Sequence, residues 1–460
     1  INQSQKDVWD AQVKRIVDNL TEEVIDEAFS NFPPEVNQNS IQEIKQKLIG
    51  RRGNLQKISN AYYEHINKYA VVKGTNKDDW FDIERLPNGE TRVVVYRIKK
   101  GEKTDVFHNR TYSCNHTKEI WVYGLDDDDQ FEVFGNGDQL IKVRIIGGQN
   151  NDIYNIKNGK RLKIYDHKTK ENTFLTNKGS KKLTDDYETN VYDYKKLKNS
   201  SNQFVPSIGA NPDDGFKIGF VNTITNYSFE RNPFSSQHII SASYYFATSG
   251  FDLGYHAEFA NVIGQWNLAI DTKFTSPNYA INFFGFGNKT SNPNAEDDDL
   301  FDLDYNRVKL RTFKVAPALT WRGKLGASLK IGVSYESNEI DNTAGRFISQ
   351  PNAINNSVFD KQDFYGADAK YEYGNADNDA FPTLGMLFAI QAGYRNNVST
   401  SRGFGYIIPE LGFDYKLIPS GQLVLATKLS GQFNLGDDFE FYQAASLGRN
   451  NGLRGYRDER

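Results

Sequence analysis

Two short stretches rich in aspartate, asparagine and glycine contain the residues of this sequence that are best suited to bind a metal ion. One includes the run Asp126–Asp129, and the other includes Asp152. Glycine permits tight turns, and carboxylate oxygens are the ligands that Ca²⁺ prefers. Asp126, Asp128 and Asp152 are therefore candidate calcium ligands.

These turns resemble the calcium-binding nonapeptide repeats of β-roll proteins, in which glycines make the turn and aspartates bind the ion. The match is partial, because Asp127 and Asn150 stand where the motif has its third glycine and only two copies are visible. We prefer solvated tight turns without a cofactor, and calcium binding remains the alternative.

Other catalytic patterns are missing from the sequence. There is no phosphate-binding loop and no Gly-x-Ser-x-Gly nucleophile turn, and no two histidines have the His-Glu-x-x-His spacing of a zinc site. Cys114 is the only cysteine, so an internal disulfide is impossible and an inert thiol is expected. We predict that this chain is not itself an enzyme.

Charge and hydropathy narrow the class of protein further. Lys and Arg number 55 against 59 Asp and Glu, a net charge of −4, which gives no reason to expect nucleic acid as a partner. Mean hydropathy is −0.65, and no apolar run approaches the roughly 18 residues that a membrane helix needs. Transmembrane β-strands escape such a test, because only every second residue faces lipid.

Three segments precede residue 215. Residues 1–75 have apolar residues at helical spacing and predict a helical subdomain. Residues 76–175 predict a β-rich domain, in which Pro87–Glu90 forms the turn of a hairpin because Asn-Gly tolerates positive φ. The polar stretch 176–214 is interpreted as a linker.

The β-rich domain contains a weak internal repeat. Trp121–Phe131 and Val143–Tyr154 each consist of an apolar strand, a turn, and an acidic residue two positions before an aromatic one. Their offset corresponds to one turn of a β-solenoid, and Arg161–Tyr165 predicts a further strand.

Residues 215–460 alternate between apolar and polar residues over long stretches, such as Phe251–Phe259, Trp266–Phe274 and Leu325–Glu336. Strands that cross a bilayer need about 9–11 residues, whereas those of the alternative, a soluble β-sandwich, usually have about 5–6. We predict a transmembrane β-barrel, with about eleven strands beginning near residues 216, 238, 250, 266, 278, 305, 325, 363, 384, 404 and 422. Asn288–Asp304 and Ser337–Gln362 are the longest predicted loops.

The sequence after the eleventh predicted strand, Phe439–Gly448 followed by Leu453, Arg454, Gly455 and Tyr456, resembles the Arg-Gly-Phe/Tyr loop of the BamA-like (bacterial surface antigen) barrels. Phe284–Asn288 is also similar to a segment of that family. The resemblance implies a barrel of about sixteen strands with this loop after the eleventh, so that residues 215–460 form an incomplete barrel and the chain is part of a longer protein.

The resemblance also implies a function and a location. It implies a bacterial outer-membrane protein with its N-terminal half in the periplasm, which inserts or moves protein or lipid. Its expected partners are outer-membrane lipid, other assembly proteins or client proteins. The alternatives are a passive pore, or an anchor that displays an upstream enzyme.

The N-terminal half does not have the βααββ order of POTRA domains. It looks like the segment before the barrel in a Bacteroidota subgroup that carries an upstream metallophosphoesterase domain, whose motifs are missing from this sequence.

The resemblance further implies that Arg454 enters the barrel lumen. A guanidinium there requires a carboxylate or carbonyl partners. The predicted lumen face offers four carboxylates, namely Asp252, Glu258, Asp271 and Glu336.

Overall fold

The structure, a computed structural model, describes residues 4–211, 215–286, 302, 304–351 and 353–448. The chain divides into two units, residues 1–197 and residues 198–460. Among the described residues, no helix is long and apolar enough to cross a membrane.

The first unit begins with four helices: α1 (Lys6–Asn19), α2 (Glu22–Ser30), α3 (Gln38–Gly53) and α4 (Leu55–Asn67). Helices α1 and α4 pack together, with Trp9 edge-on to Tyr63 at 5.6 Å between ring centroids. Thr21 caps α2 by accepting a hydrogen bond from the backbone N–H of Val24, which satisfies one free donor at the helix start.

Eleven strands and a short helix follow in the described part of this unit: β1 (Tyr69–Lys73), β2 (Asp79–Arg85), β3 (Glu90–Lys99), β4 (Glu102–Ser113), β5 (Glu119–Leu125), β6 (Gln130–Phe134), β7 (Lys142–Gly148), β8 (Ile153–Ile156), β9 (Leu162–Asp166), β10 (Thr173–Asn177), β11 (Ser180–Leu183) and α5 (Tyr187–Asn190). They form a five-stranded sheet, β1-β5-β7-β9-β11, and a six-stranded sheet, β10-β8-β6-β2-β3-β4.

The chain winds between these two sheets as a parallel solenoid, which we define as residues 69–183. Successive strands of the first sheet pair in parallel, with Ile120 opposite Val143 and Val143 opposite Leu162. In the second sheet, Phe131 lies opposite Tyr154. The repeat predicted from the sequence is therefore a structural repeat, and its apolar residues fill the space between the sheets.

The predicted hairpin is confirmed and interrupts the solenoid after its first turn. Strands β2 and β3 pair antiparallel, and Asn88 and Gly89 have φ values of 58° and 72°. Both residues thus adopt the left-handed conformation that an Asn-Gly turn requires.

The stretch that the sequence suggests as a linker contains regular structure. Strands β10 and β11 continue the solenoid beyond residue 175, and α5 follows them. Strand β12 (Ser201–Asn211) pairs along its whole length with the next strand. The backbone pairing with β13, and not the side-chain pattern, defines this strand, because each residue from Ser201 to Asn211 lies opposite a residue of β13.

The second unit is built around one 13-stranded antiparallel sheet among its described residues. After β12 its strands are β13 (Gly215–Asn226), β14 (Ser236–Tyr245), β15 (Gly250–Ile263), β16 (Trp266–Thr275), β17 (Ala280–Asn282), β18 (Arg307–Arg322), β19 (Ala327–Ile340), β20 (Gln362–Gly374), β21 (Gly385–Asn397), β22 (Gly403–Lys416), β23 (Val424–Ser430) and β24 (Phe433–Leu435). Sequential strands are neighbours, apart from two short ones: β17 pairs with β18 but not with β16, and β24 pairs with β22 and not with β23.

The predicted fold class is confirmed: the protein is mainly β, with a large antiparallel sheet of long strands. Each of the eleven predicted strands has a counterpart from β13 to β23. The eleventh is broken near Gly431, because β23 and β24 pair with different parts of β22.

Candidate functional site

One face of the 13-stranded sheet is apolar and exposed, and we call it the apolar face. Leu253 and Tyr255 of β15 are exposed there, and so are Ile331 and Val333 of β19, with Ile331 exposed to 49%. Similar residues continue across neighbouring strands, including Phe388, Ile390, Phe413 and Tyr415. The predicted alternation therefore gives an apolar surface rather than an apolar core.

The opposite face, which we call the polar face, contains ion pairs between strands that are not neighbours. Three such pairs each skip one strand of the sheet: Lys330 Nζ–Asp271 Oδ2 at 2.8 Å, Arg322 Nη2–Glu258 Oε2 at 2.8 Å, and Arg395 Nη1–Glu336 Oε2 at 3.4 Å.

These distances indicate that the polar face is concave. In a flat sheet, strands that are two apart are separated by about 9–10 Å, and their side chains are parallel. On a concave face the side chains converge, and a small residue between them leaves room for contact. Gly366 lies between Ser334 and Arg395 in the register, and its missing side chain leaves such room beside the Arg395–Glu336 pair.

Glu258 is the most completely bonded of these carboxylates. It is 4% exposed and accepts hydrogen bonds from both terminal nitrogens of Arg322 and from Asn267 Nδ2, the last at 2.7 Å. A two-pronged arginine contact fixes both partners and satisfies the buried charge. This arrangement connects β15, β16 and β18 through side chains, and the oxygens of Glu258 are all engaged in it.

A second cluster lies further along the same face. Glu336 pairs with Lys314 at 3.2 Å as well as with Arg395, and it accepts a hydrogen bond from Asn338 Nδ2 at 3.0 Å. Asn338 in turn bonds Thr312. The cluster joins β18, β19 and β21 through side chains.

The polar face becomes apolar at the end of the sheet that carries the long loops. Buried residues there come from strand ends and from three loops, namely Phe283, Val308, Leu310, Ile340, Ile348, Val358 and Phe441. The rings of Phe283 and Phe441 are 4.5 Å apart. The sequence predicts Ser337–Gln362 only as a long loop, although its apolar pairs Phe347-Ile348 and Val358-Phe359 indicate packing.

The segment before the predicted Arg-Gly-Tyr motif is held to this end of the sheet. Phe441 packs in the apolar cluster, and Asn434 Nδ2 donates to the carbonyl of Gln443 at 3.0 Å. Leu453, Arg454, Gly455 and Tyr456 lie outside the described residues, so their predicted position in the lumen stays a prediction.

The four carboxylates proposed as partners of Arg454 lie on the polar face and already have partners. Asp252 accepts a hydrogen bond from Tyr245 Oη at 2.7 Å. Glu258 and Glu336 have the arginine contacts described above, and Asp271 bonds Lys330 and His256. Arg454 would therefore join an existing network rather than neutralise a lone charge.

The solenoid contains a second polar feature, a ladder of buried carboxyl and amide groups at one corner. In each case a side-chain oxygen in one turn of the solenoid accepts a hydrogen bond from a backbone N–H in the preceding turn. The contacts are Asp79 N–Asp129 Oδ1 at 2.8 Å, Asp129 N–Asp152 Oδ1 at 2.9 Å, and Asp152 N–Asn172 Oδ1 at 2.8 Å. Each ladder residue is followed two positions later by an aromatic residue. The four rings stack on one another in the order Phe81, Phe131, Tyr154 and Phe174.

Glycines make room for the ladder. A side chain at Gly124 would collide with Asp129 Oδ2, and one at Gly147 would collide with Asp152 Oδ2. The weak repeat in the sequence predicts the two middle turns of the ladder but not the contributions of Asp79 and Asn172. The same spacing, a polar residue two positions before an aromatic ring, would have identified both.

Burial makes these carboxyls weak acids. It raises the pKa of Asp129 to about 10, with the charge of Asp152 adding to the effect, and it raises the pKa of Asp152 well above its usual range. Burial also raises the pKa of Asp166, which accepts a hydrogen bond from Tyr154, to about 6. The Oδ2 atoms of Asp129 and Asp152 have no hydrogen-bond partner among the described residues. With a pKa of about 10, Asp129 keeps its proton at neutral pH, and burial shifts the pKa of Asp152 in the same direction.

The three candidate calcium ligands lie in different surroundings. Asp126 and Asp128 are on an exposed turn, where Asp126 Oδ1 accepts the N–H of Asp127 and Asp128 Oδ1 accepts that of Asn151. Asp152 is buried in the ladder. In the part of the chain that the structure describes, no group of three or more His, Cys, Asp or Glu residues is arranged to hold a metal ion.

No protein-family model matches the sequence, and the search of curated proteins found no match either. Among solved structures, the chain is similar to BamA from Haemophilus ducreyi lacking POTRA domains 1-3, with a TM-score of 0.39 and 15% sequence identity. The similarity covers 57% of this chain and 47% of that one, so this chain spans about half the length of that protein.

Proposed function

We propose that residues 198–460 form part of the wall of a β-barrel in the bacterial outer membrane. The observation that carries the proposal is the distribution of residues between the two faces of the sheet. Ile331 and Val333 are exposed on the apolar face, whereas Glu258 is buried beside Arg322 on the polar face. Lipid requires an apolar outer surface, and a barrel lumen accepts polar residues. A soluble β-sandwich would instead cover the apolar face with a second sheet.

The curvature of the sheet supports a closed barrel. Ion pairs that skip a strand place the charges on the concave face, which becomes the lumen when the sheet closes. In lipid every backbone group needs a partner, so the open edges at β12 and β23 would pair with further strands of the full-length protein. The first unit would then lie in the periplasm.

We further propose that the full-length protein inserts or moves protein or lipid at the outer membrane, with membrane lipid and client proteins as its partners. This part rests on the resemblance of the sequence Phe439–Tyr456 to the loop of the BamA-like barrels. The loop's first residues pack at the end of the polar face, where a lumen loop would begin.

The test uses the full-length protein in liposomes and follows the folding of an unfolded outer-membrane barrel added outside. We expect faster folding than with empty liposomes, and a loss of most of this gain in Arg454→Lys, because lysine cannot reproduce a two-pronged contact. Arg402→Lys is the matched control, since Arg402 is an exposed residue of the turn that precedes β22.

Two results would contradict the assembly role. Ion conductance without any gain in client folding would indicate a passive pore. Unchanged client folding, together with membrane-bound activity of an upstream enzyme, would indicate an anchor. If the protein stays in solution without detergent, the barrel itself is wrong.

A further inference from the structure

A cavity of about 740 Å³ lies on the first unit, where the turns that return from the second sheet of the solenoid to the first meet the end of α4. Three turns line it, at residues 114–118, 139–141 and 160–161, together with Glu64 and Lys68 of the helical end. Its volume is within the range of about 300–1,000 Å³ that is typical of small-ligand sites.

The charges around this cavity are strongly unbalanced. Its lining has one acidic residue, Glu64, and four cations: Lys68, Lys118, Lys160 and Arg161. None of the four forms an ion pair within the described residues. Elsewhere on the solenoid, several cations have acidic partners, as in the pairs Lys103–Asp82, Arg144–Glu119 and Lys157–Glu132.

A fifth positive charge is buried behind the wall of the cavity. Arg85 is 1% exposed, and its Nη1 donates to the carbonyl of Ile141, a residue that lines the cavity, at 2.8 Å. Its Nε and Nη2 have no hydrogen-bond partner, and no carboxylate pairs with it among the described residues. Burying an unpaired charge is costly, and a nearby anion would reduce that cost.

The electrostatics agree with this geometry. Burial lowers the pKa of Arg85 to about 10, and the charge of Arg161 adds to the effect. Burial also lowers the pKa of Lys142 at the start of β7. Three cations, Arg144, Lys163 and Arg161, add to that shift, and Glu119 opposes it. Positive charges therefore outnumber negative ones at this corner of the solenoid.

The neutral groups of the lining suit an oxyanion. Thr117, Asn115 and Gln139 can donate hydrogen bonds, and the Nδ1 atom of His116 is buried without a partner. A phosphomonoester carries about −1.5 to −2 charges and several strong acceptors. An arginine fork and two ammonium groups match such a group better than they match a single carboxylate.

We propose that this cavity binds a phosphomonoester or pyrophosphate group, with Lys118, Lys160 and Arg161 as its charged contacts. The ligand is either the headgroup of a phosphorylated lipid or a soluble phosphorylated compound, because the shared phosphate chemistry is what the cavity recognises. The site belongs to the first unit alone, so it is independent of the proposed barrel.

The experiment measures calorimetric binding of pyrophosphate to the detergent-solubilised protein at low ionic strength. We expect one site per chain and at least a tenfold loss of affinity in the double variant Lys118→Gln/Arg161→Gln. The matched control is Lys168→Gln/Lys170→Gln, which removes the same charge from exposed residues elsewhere on the solenoid and should change affinity less than twofold.

Cys114 provides a local readout, because it lines the cavity and is the only cysteine. Pyrophosphate should slow its modification by a maleimide in the wild-type and control proteins but not in the cavity variant. Absence of pyrophosphate binding, or an equal loss of affinity in both double variants, would overturn the proposal.

Two probes distinguish the sources of the phosphate. Glycerol 3-phosphate and short-chain dihexanoyl phosphatidic acid carry the same headgroup, and only the second has acyl chains. Tighter binding of the phosphatidic acid supports a lipid ligand, and equal binding supports a soluble one.

Discussion

The solenoid of the first unit and the sheet of the second use the same alternation of residues with opposite results. In the solenoid, Ile83 of β2 and Val133 of β6 are fully buried between two sheets. In the large sheet, Ile331 is exposed, and Glu258 is buried with Arg322. Alternation therefore specifies a strand with two faces, and the partners available to the second face determine which one becomes the interior.

The first prediction compares the same substitution in the two units. Ile145→Ala removes a side chain from the solenoid core and should lower the stability of that unit by about 2–5 kcal/mol. Ile331→Ala removes a side chain from the exposed apolar face and should cost less than about 1 kcal/mol in detergent, because no protein cavity forms. Hydrogen exchange of peptides from each unit of the intact chain measures both effects.

Equal destabilisation of the two units would break the comparison. It would mean that another part of the protein covers Ile331, as the second sheet of a soluble sandwich would. Val333→Ala is the matched control on the same strand and should behave like Ile331→Ala.

The second prediction concerns the environment of the apolar face in lipid. Ile331→Arg should cost roughly 2–4 kcal/mol if this residue lies near the middle of the bilayer. Lys330→Gln should cost much less, because the polar face tolerates a neutral side chain and the pair of Lys330 with Asp271 is partly solvated. Reversible unfolding in lipid bilayers compares the two variants, and similar costs would contradict the assignment of the faces.

Much of this contrast could be predicted from the sequence. The long alternation in Leu325–Glu336 gave the strand, its faces and the position of Lys330. The sequence also indicated the repeat that contains Asp129 and Asp152. These successes share one cause, since both depend on local periodicity.

Features that depend on distant contacts could not be predicted in this way. Strand β12 follows a polar stretch and is defined by its pairing with β13. The pair between Glu258 and Arg322 joins residues 64 positions apart. Lys68, Lys118 and Arg161 line one cavity only because the solenoid returns to the same corner at every turn.

The third prediction uses the buried ladder, which has no counterpart among the described strands of the large sheet. Asp129 binds a proton in the folded state up to a pKa of about 10, whereas the unfolded chain releases it near the usual value of 3.8. Between these limits the unfolded state holds fewer protons, so the stability of the solenoid should fall as pH rises, by at most about 1.4 kcal/mol per pH unit per proton. Asp129→Asn should reduce this slope, because an amide does not titrate. The ladder should persist, because the amide oxygen can still accept the N–H of Asp79.

Asn172 already occupies the equivalent place in the last turn of the ladder, which supports the tolerance of an amide there. Asp128→Asn, on the exposed turn next to the ladder, is the control and should leave the slope unchanged. Melting of the intact chain between pH 5 and pH 9 provides the measurement. A slope that is unchanged in Asp129→Asn would mean that Asp129 is ionised in the folded protein.

The smallest expected effect is that of calcium removal, which compares the buried ladder with the exposed turn beside it. Ca²⁺ needs about six to eight oxygen ligands. Asp152 directs one oxygen to the N–H of Asp129, and burial of its carboxyl group raises its pKa, which disfavours the charged form that binds a cation. Asp128 accepts the N–H of Asn151 from the exposed turn. We therefore expect chelator to leave the melting temperature of the intact chain unchanged, both in the wild type and in Asp126→Asn/Asp128→Asn. A fall of several degrees that added Ca²⁺ reverses in the wild type, and that the double variant does not show, would instead establish Asp126 and Asp128 as ligands. It would also require Asp152 to leave the ladder or to bind the ion from within it.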